Sequence, residues 1–354
     1  MYNPFSNLKI NVFGQSHSPE IGVEIFGLPI GTKIDANYVQ SFVDRRKSGK
    51  NPWSTPRKEP DEIVFVNGLE EGVVTDYIKA VIYNKTVRSV DYENISTIPR
   101  PSHADYVSAI KDGTNKVTPG GGRFSGRLTA PLSIAGGIAK YLLEQRGIKV
   151  LSYVRSIGEV EGENYAYNTV NAEKIENLQG ELPALSRADE MVSQVINAKN
   201  QGDSVGGVVD VMVFNLPLGV GDNLFNGLEG RISSAVYGVP AVKGVEFGLG
   251  FKMSKLLGSQ ANDELFYNGE KIITTTNNAG GINGGISNGM PIALSVAIRP
   301  TPSISKEQNS VDLKTMENVK FSVKGRHDAC IVPRAAVVLE GVVALAILDA
   351  LLDE

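Results

Sequence analysis

The stretch PRAAVVLEGVVALAILDALL, residues 333–352, holds the most apolar run of the chain. At 1.5 Å per residue it is a helix of about 30 Å, long enough to cross a bilayer or a large domain. Glu340 sits inside it, Asp349 lies near its end, and its flanks carry no anchoring pattern. Charge at the centre of a span is costly, so the stretch predicts a buried helix of a folded body.

Outward from that helix the chain reads as alternating strands and helices. Strands are expected over 292–298, 242–247, 208–215 and 150–155 in the C-terminal part, and over 78–83, 63–66 and 8–13 nearer the start. Helices are expected over 224–237, 187–200, 130–145, 104–111 and 36–46. The two kinds interleave without a regular βαβ rhythm. That pattern fits an α+β fold of mixed sheets with packed helices better than a barrel or a doubly wound sheet. No composition break divides the chain, so one domain over residues 1–354 is expected.

The chain is 42% hydrophobic and 21% charged, with a formal net charge of -4. Such a chain can bury a sizeable core, and it lacks the basic excess of a general nucleic-acid or membrane-surface binder. Any anion site must come from local clusters of Arg and Lys. A single cysteine, Cys330, excludes an intrachain disulfide and a cysteine zinc cluster. Residues 1–19 have no continuous apolar stretch of the signal-peptide kind. A soluble, cytoplasmic protein is expected.

The three histidines, His17, His103 and His327, all fall in polar, turn-rich stretches beside Arg, Asp or Ser. Imidazole titrates near neutrality, which suits acid–base chemistry. Arg45, Arg46 and Lys47 form one cluster, Arg123 and Arg127 flank Ser125, Arg100 precedes the second histidine, and Arg326 and Arg334 bracket the third; guanidinium forks match carboxylate and phosphate. Residues 120–129 run from three glycines into a helix, an arrangement suited to anions. Residues 277–289 are dense in Gly and Asn, and Arg299 to Ser303 place a cation and hydroxyls after the next strand. Taken singly, each of these also reads as a solvated turn or a hairpin. No Walker or dinucleotide fingerprint is present.

Taken together and in order, the stretches become specific. Gly14-Gln15-Ser16-His17 with Gly27-Leu28-Pro29, Gly122-Arg123-Phe124-Ser125-Gly126-Arg127, and Arg326-His327-Asp328 with Pro333-Arg334 and Glu340 resemble the signature segments of the chorismate synthases. Asp44-Arg45-Arg46, Arg57-Lys58-Glu59-Pro60-Asp61, Arg100-Pro101-Ser102-His103-Ala104-Asp105, Gly202-Asp203-Ser204-Val205-Gly206-Gly207, Val239-Pro240-Ala241-Val242-Lys243-Gly244-Val245-Glu246 and the run from Ala279 to Gly289 fill the gaps. The resemblance spans essentially the whole chain. Departures are Gln15 for an acid, Ser18 for Gly, Ala329 for Pro, Arg299 for Lys, and Pro52 for an Arg that helps hold ligand.

The resemblance implies a β-α-β sandwich with helices packed between mixed or antiparallel sheets, assembled as a homotetramer. It implies a lyase that eliminates phosphate from 5-enolpyruvylshikimate-3-phosphate, the step that completes the shikimate pathway to chorismate. The cofactor would be FMN in its reduced form, FMNH2, used without net redox change. Some members of that family carry an NADPH-dependent flavin reductase; an external reductant or reductase is expected here. By motif match His17 would protonate the leaving phosphate, His103 would keep the flavin in its working charge state, and Asp328 would assist proton removal. Ser16, Arg45, Arg46, Arg100, Arg127 and Arg326 would hold substrate. Arg123, Phe124, Ser125, Pro240, Ala241, Gly284, Arg299, Pro300, Thr301, Pro302, Ser303 and Arg326 would lie against the flavin. His327 would support Asp328. An FMN-dependent oxidoreductase and a non-catalytic phosphate-ligand binder are the rival readings.

Overall fold

The computed structural model describes residues 3–47, 59–84, 97–163, 167, 169–178, 182–323 and 328–353. A first sheet is built from β1 (Lys9–Gly14), β2 (Glu20–Phe26), β3 (Val64–Glu70) and β4 (Val73–Tyr83), in the order β1-β2-β4-β3. A second begins with β5 (Lys149–Ile157), β6 (Val160–Glu161), β7 (Gly207–Phe214) and β8 (Val242–Phe247). Two short hairpins follow, β9 (Leu265–Tyr267) with β10 (Ile272–Thr274) and β11 (Ile282–Asn283) with β12 (Ile286–Ser287). β13 (Ile292–Ile298) then returns to give the order β6-β5-β7-β13-β8. A last hairpin joins β14 (Gln308–Asp312) to β15 (Glu317–Phe321). Every strand pairing among the described residues is antiparallel.

The helices are α1 (Ala36–Arg45), α2 (Asp105–Lys111), α3 (Thr129–Glu144), α4 (Ala172–Glu176), α5 (Ala188–Asn200), α6 (Leu228–Tyr237), α7 (Gly258–Ala261) and α8 (Val332–Leu351). α3 packs on β2 and on α8, α8 packs on β5 and β7, α6 on α8 and β8, and α1 on α3. The layers are therefore sheet, helices, sheet. An α8 between two sheets has no solvent side, and every residue from Ala335 to Ala350 is buried. That is why the segment is apolar all round and not in a stripe. No helix among the described residues is long and apolar enough to cross a membrane.

Alternation along β7 shows the layering directly. Val209, Val211 and Val213 face the helices and join the main core. Met212 and Phe214 face the other way, under Tyr167, Val170 and Ile175. Burying a side chain of this size contributes about 1.5–3 kcal/mol. α3 and α8 cross at Gly136 and Gly341, where a Cβ on Gly136 would lie 2.5 Å from the Gly341 Cα. Only glycine permits that approach.

Glu340 is the charge that interrupts α8, and it is fully buried. Arg45 grips it with two bonds of 2.7 and 2.9 Å, Lys140 stands 3.2 Å away, and the Ser152 hydroxyl donates at 2.8 Å. Burial alone would raise this carboxyl. Lys140, Arg45 and Ser152 outweigh burial and bring it down to about 2. The buried charge is thus compensated from α1, α3 and β5 at once.

Several elements differ from the sequence expectation. β2 was not foreseen, β4 is longer than 78–83, and the helix expected over 224–237 is cut at Gly227, which is extended at φ -65° and ψ 149°. α6 begins only after that break.

Candidate active site

Three helix ends and three loops converge at one edge of the helix layer. β1 ends at Gly14, whose φ of +92° turns the chain where a Cβ would strike the Glu20 carbonyl at 2.6 Å. Ser18 closes this turn, its hydroxyl accepting from the Gln15 amide at 2.8 Å and donating back to nearby carbonyls. Ser16 and His17 stand at the tip. The Ser16 amide donates to the Gly122 carbonyl at 3.2 Å, tying this tip to the glycine loop.

Gly120, Gly121 and Gly122 all have positive φ, at 63°, 80° and 50°. A Cβ on Gly120 would lie 2.3 Å from His17, one on Gly121 would lie 3.0 Å from His103, and one on Gly122 would lie 2.6 Å from Thr118. The glycines are thus required, and the two histidines abut consecutive residues of one loop. Ser125 then caps a short turn, its hydroxyl accepting from the Arg127 amide at 3.3 Å, before α3 begins.

The cavity beside this loop has a volume of about 310 Å³. Five guanidinium groups line it, those of Arg46, Arg100, Arg127, Arg299 and Arg334, with two carboxylates, Glu59 and Asp328. Phe124, Val239, Pro240, Ala241, Ile331 and Val338 supply apolar wall, and Ser125, Thr129, Thr301 and Ser303 supply hydroxyls. The first turns of α3 and α8 both open on it, and helix N-termini favour anions. So a chain of net charge -4 carries a local cationic excess among its described residues.

The arginines are held in place. Arg127 reaches Glu59 at 2.7 Å and Asp61 at 2.5 Å, and its other donors bond the side-chain Oδ1 of Asn84. Arg46 is buried and bonds Thr129 at 2.9 Å and Asp61 at 3.2 Å. Burial lowers its guanidinium; Arg334 and Arg127 lower it further against Asp61 and Glu59, and the outcome is about 9. Arg334 bonds Asp328 at 2.5 Å and the Arg46 carbonyl at 3.1 Å, linking α8 to α1. Arg100 gives its Nε and one terminal nitrogen to Asp105, at 2.7 and 2.9 Å, and the other to Ser303 at 3.1 Å. Arg299 donates to the Ser102 carbonyl at 2.6 Å.

Of the residues expected from sequence, Arg46, Arg100, His103, Phe124, Ser125, Arg127, Pro240, Ala241, Arg299, Thr301, Pro302, Ser303 and Asp328 line the cavity. Ser16 and His17 pack against Gly120, a lining residue, and are not themselves among the lining residues. Arg45 points away, onto Glu340. Arg123 is half-exposed, paired with Asp112 at 2.8 Å and lying over Phe124, and is not on the wall. Gly284 lies in the β11–β12 turn and Pro300 behind the Arg299 to Ser303 turn, both off the wall. Arg326, His327 and Pro52 fall outside the described residues. Reading of the sequence missed Glu59, Asp61, Asp105, Thr129 and Arg334 as site residues. The signal for the acids was present: each lies within a few residues of an Arg or His in a polar stretch.

The fold and this cavity define a protein able to receive a small, multiply anionic molecule among clustered guanidinium groups, with one imidazole, that of His103, on the lining. A family model described as chorismate synthase matches residues 8–352. A chorismate synthase of Dehalococcoides mccartyi is 42% identical over 342 residues, covering 96% of this chain and 94% of the relative. One of Thermococcus kodakarensis is 43% identical over 347 residues, covering 98% and 96%. A crystal structure of chorismate synthase matches with a TM-score of 0.76 at 27% identity, covering 99% of this chain and 93% of that one. The chain belongs to the chorismate synthase family.

Proposed function

We propose that the chain is a lyase that catalyses the 1,4-anti elimination of phosphate from 5-enolpyruvylshikimate-3-phosphate to give chorismate. The observation that carries this reading is a cation-rich cavity lined by His103 and Gly120, with His17 packed against that same glycine. A substrate with one phosphate and two carboxylates needs such a cationic excess.

The residues present also fit a flavin mononucleotide. Phe124, Pro240 and Ala241 offer an apolar wall for a flat ring, and Ser125, Thr301 and Ser303 offer neutral hydrogen bonds. Bound there in its reduced state, FMN would supply transient electron density to the reacting ring with no net redox change. The protein's own part is positioning and electrostatics. Arg46, Arg127 and Arg334 hold and neutralise the anionic groups. The C–O bond to phosphate breaks with its electron pair leaving on oxygen, and His17 donates a proton to that oxygen. Asp328, oriented by Arg334, stands ready to help take the ring proton. The same reading carries one domain over residues 1–354, a homotetramer, a cytoplasmic location and an external reductant for the flavin.

Anaerobic incubation with reduced FMN and 5-enolpyruvylshikimate-3-phosphate tests it, followed by phosphate release and chorismate absorbance. Equal amounts of both products are expected, and none without reductant. His17→Ala and Asp328→Ala should each lower turnover by at least about 10²-fold while the fold is kept. Wild-type protein that releases no phosphate overturns the reading.

A further inference from the structure

We propose that Asp105 is a positioning residue of this site, which fixes the His103 imidazole with Nδ1 bound and Nε2 turned to the glycine loop. The inference rests on the reading of the cavity as the active site. Asp105 lies in the first turn of α2 and is buried. Its Oδ1 is 2.6 Å from His103 Nδ1. Arg100 holds the same carboxylate through its backbone N–H at 3.1 Å, its Nε at 2.7 Å and a terminal nitrogen at 2.9 Å. Burial would raise this carboxyl, but the bonds from Arg100 and His103 outweigh it and keep it well below the usual carboxylate range.

The proton follows from chemistry. An ionised carboxylate only accepts, so the short contact requires a proton on His103 Nδ1. The Arg100 nitrogen 3.1 Å from that Nδ1 is itself a donor, so it serves Asp105 and not the imidazole. Nε2 is then the ring nitrogen left for the site, 3.2 Å from where a Cβ on Gly121 would stand. It accepts a hydrogen bond when the ring is neutral and donates one when the ring is charged. The contacts to Asp105 occupy Arg100, whose remaining terminal nitrogen bonds Ser303. Arg100 accordingly acts on the site through Asp105 and His103.

The test uses the full chain labelled with nitrogen-15, and His103 is one of only three histidines. In the wild type without ligand, its ring is expected to keep Nδ1 protonated throughout the titration. In Asp105→Asn the Nε2–H tautomer should become populated. Turnover should drop about 10²-fold with KM changed less than about threefold, and Asp105→Glu should recover part of the loss. A wild-type ring protonated at Nε2 in its neutral form overturns the proposal, whether or not the variant folds. So does an Asp105→Asn protein with unchanged His103 spectra. Neither result touches the proposed reaction, which stands or falls on phosphate release by the wild type.

Discussion

Arg45 and Arg46 are neighbours at the end of α1, yet they serve opposite kinds of electrostatic environment. Arg45 turns to Glu340 in the helix layer, where one carboxylate meets Arg45, Lys140 and a hydroxyl. Burial works to lower the Arg45 guanidinium, the Glu340 carboxylate more than offsets that, and the group is held above its ordinary value. Arg46 turns to the cavity, where burial first, then Arg334 and Arg127, pull its guanidinium down against Asp61 and Glu59. The first cluster is closed within the helix layer and stabilises the fold. The second holds its guanidinium groups against Glu59, Asp61, Asp105 and Asp328 beside an open cavity that an anion can enter.

The sharpest way to break the comparison is at Glu340. Replacing Glu340 by Ala leaves Arg45 and Lys140 facing a buried gap and should cost about 3–5 kcal/mol, read from urea unfolding. A midpoint equal to wild type would place the cluster outside the energetics of folding. The acid limb sharpens the same point. The Glu340 carboxyl is near 2 when folded against an ordinary 4.5, so its contribution is full above about pH 4.5 and lost as pH falls through about 2. Glu340→Gln should flatten that limb in unfolding measured between pH 5 and pH 2.5.

The helix crossing that assembles this cluster is next. Gly341→Ala would bring a Cβ within 3.0 Å of the Gly136 Cα and 3.2 Å of Phe42. Overpacking of this kind costs about 1–3 kcal/mol, again by urea unfolding. Asp61→Asn probes the cavity instead. Removing that carboxylate from Arg46 and Arg127 should tighten binding of inorganic phosphate about tenfold, roughly 1.4 kcal/mol, by titration calorimetry. Unchanged affinity would mean that Asp61 does not compete with the ligand.

A smaller effect is expected at Asp349, the second carboxylate buried on α8. It accepts the backbone N–H groups of Ser6, Asn7 and Leu8 at 2.8–2.9 Å and is approached by Arg231 at 3.7 Å. Asp349→Asn keeps the shape and weakens charge-assisted bonds, so a loss of about 1 kcal/mol and earlier hydrogen exchange at residues 6–8 are expected.

Much of the fold was legible where one physical rule dominated. α8 announced itself because burial on all sides leaves only apolar residues, and β7 because its valines alternate toward the helices. β2 was overlooked because Gly22 interrupts the run EIGVEIF. Its reason appears only in three dimensions, where the Phe13 ring covers the place a Cβ would take, 2.3 Å away. The exposed hairpins β9–β10 and β14–β15 bury little and so leave no apolar pattern to read. The Gly-Asn run at 277–289 offered a ligand loop and a hairpin equally; it holds the β11–β12 hairpin, with Gly284 off the cavity wall. Arg45 and Arg123 looked like ligand arginines because sequence shows a charge and not the direction of its side chain.

By itself the sequence determined the inventory: which histidines, arginines and glycines exist, the period of each element, and the ordered segments that mark the family. Those follow from local rules of hydrophobic period and turn chemistry, which act over a few residues. Only the tertiary structure decided which charges face each other, because Arg45 with Glu340, His103 across the glycine loop from His17, and Arg46 with Arg334 are paired by packing over long separations. Whether a guanidinium is enclosed in the helix layer or stands beside an open cavity depends on those distances, and no local pattern carries them.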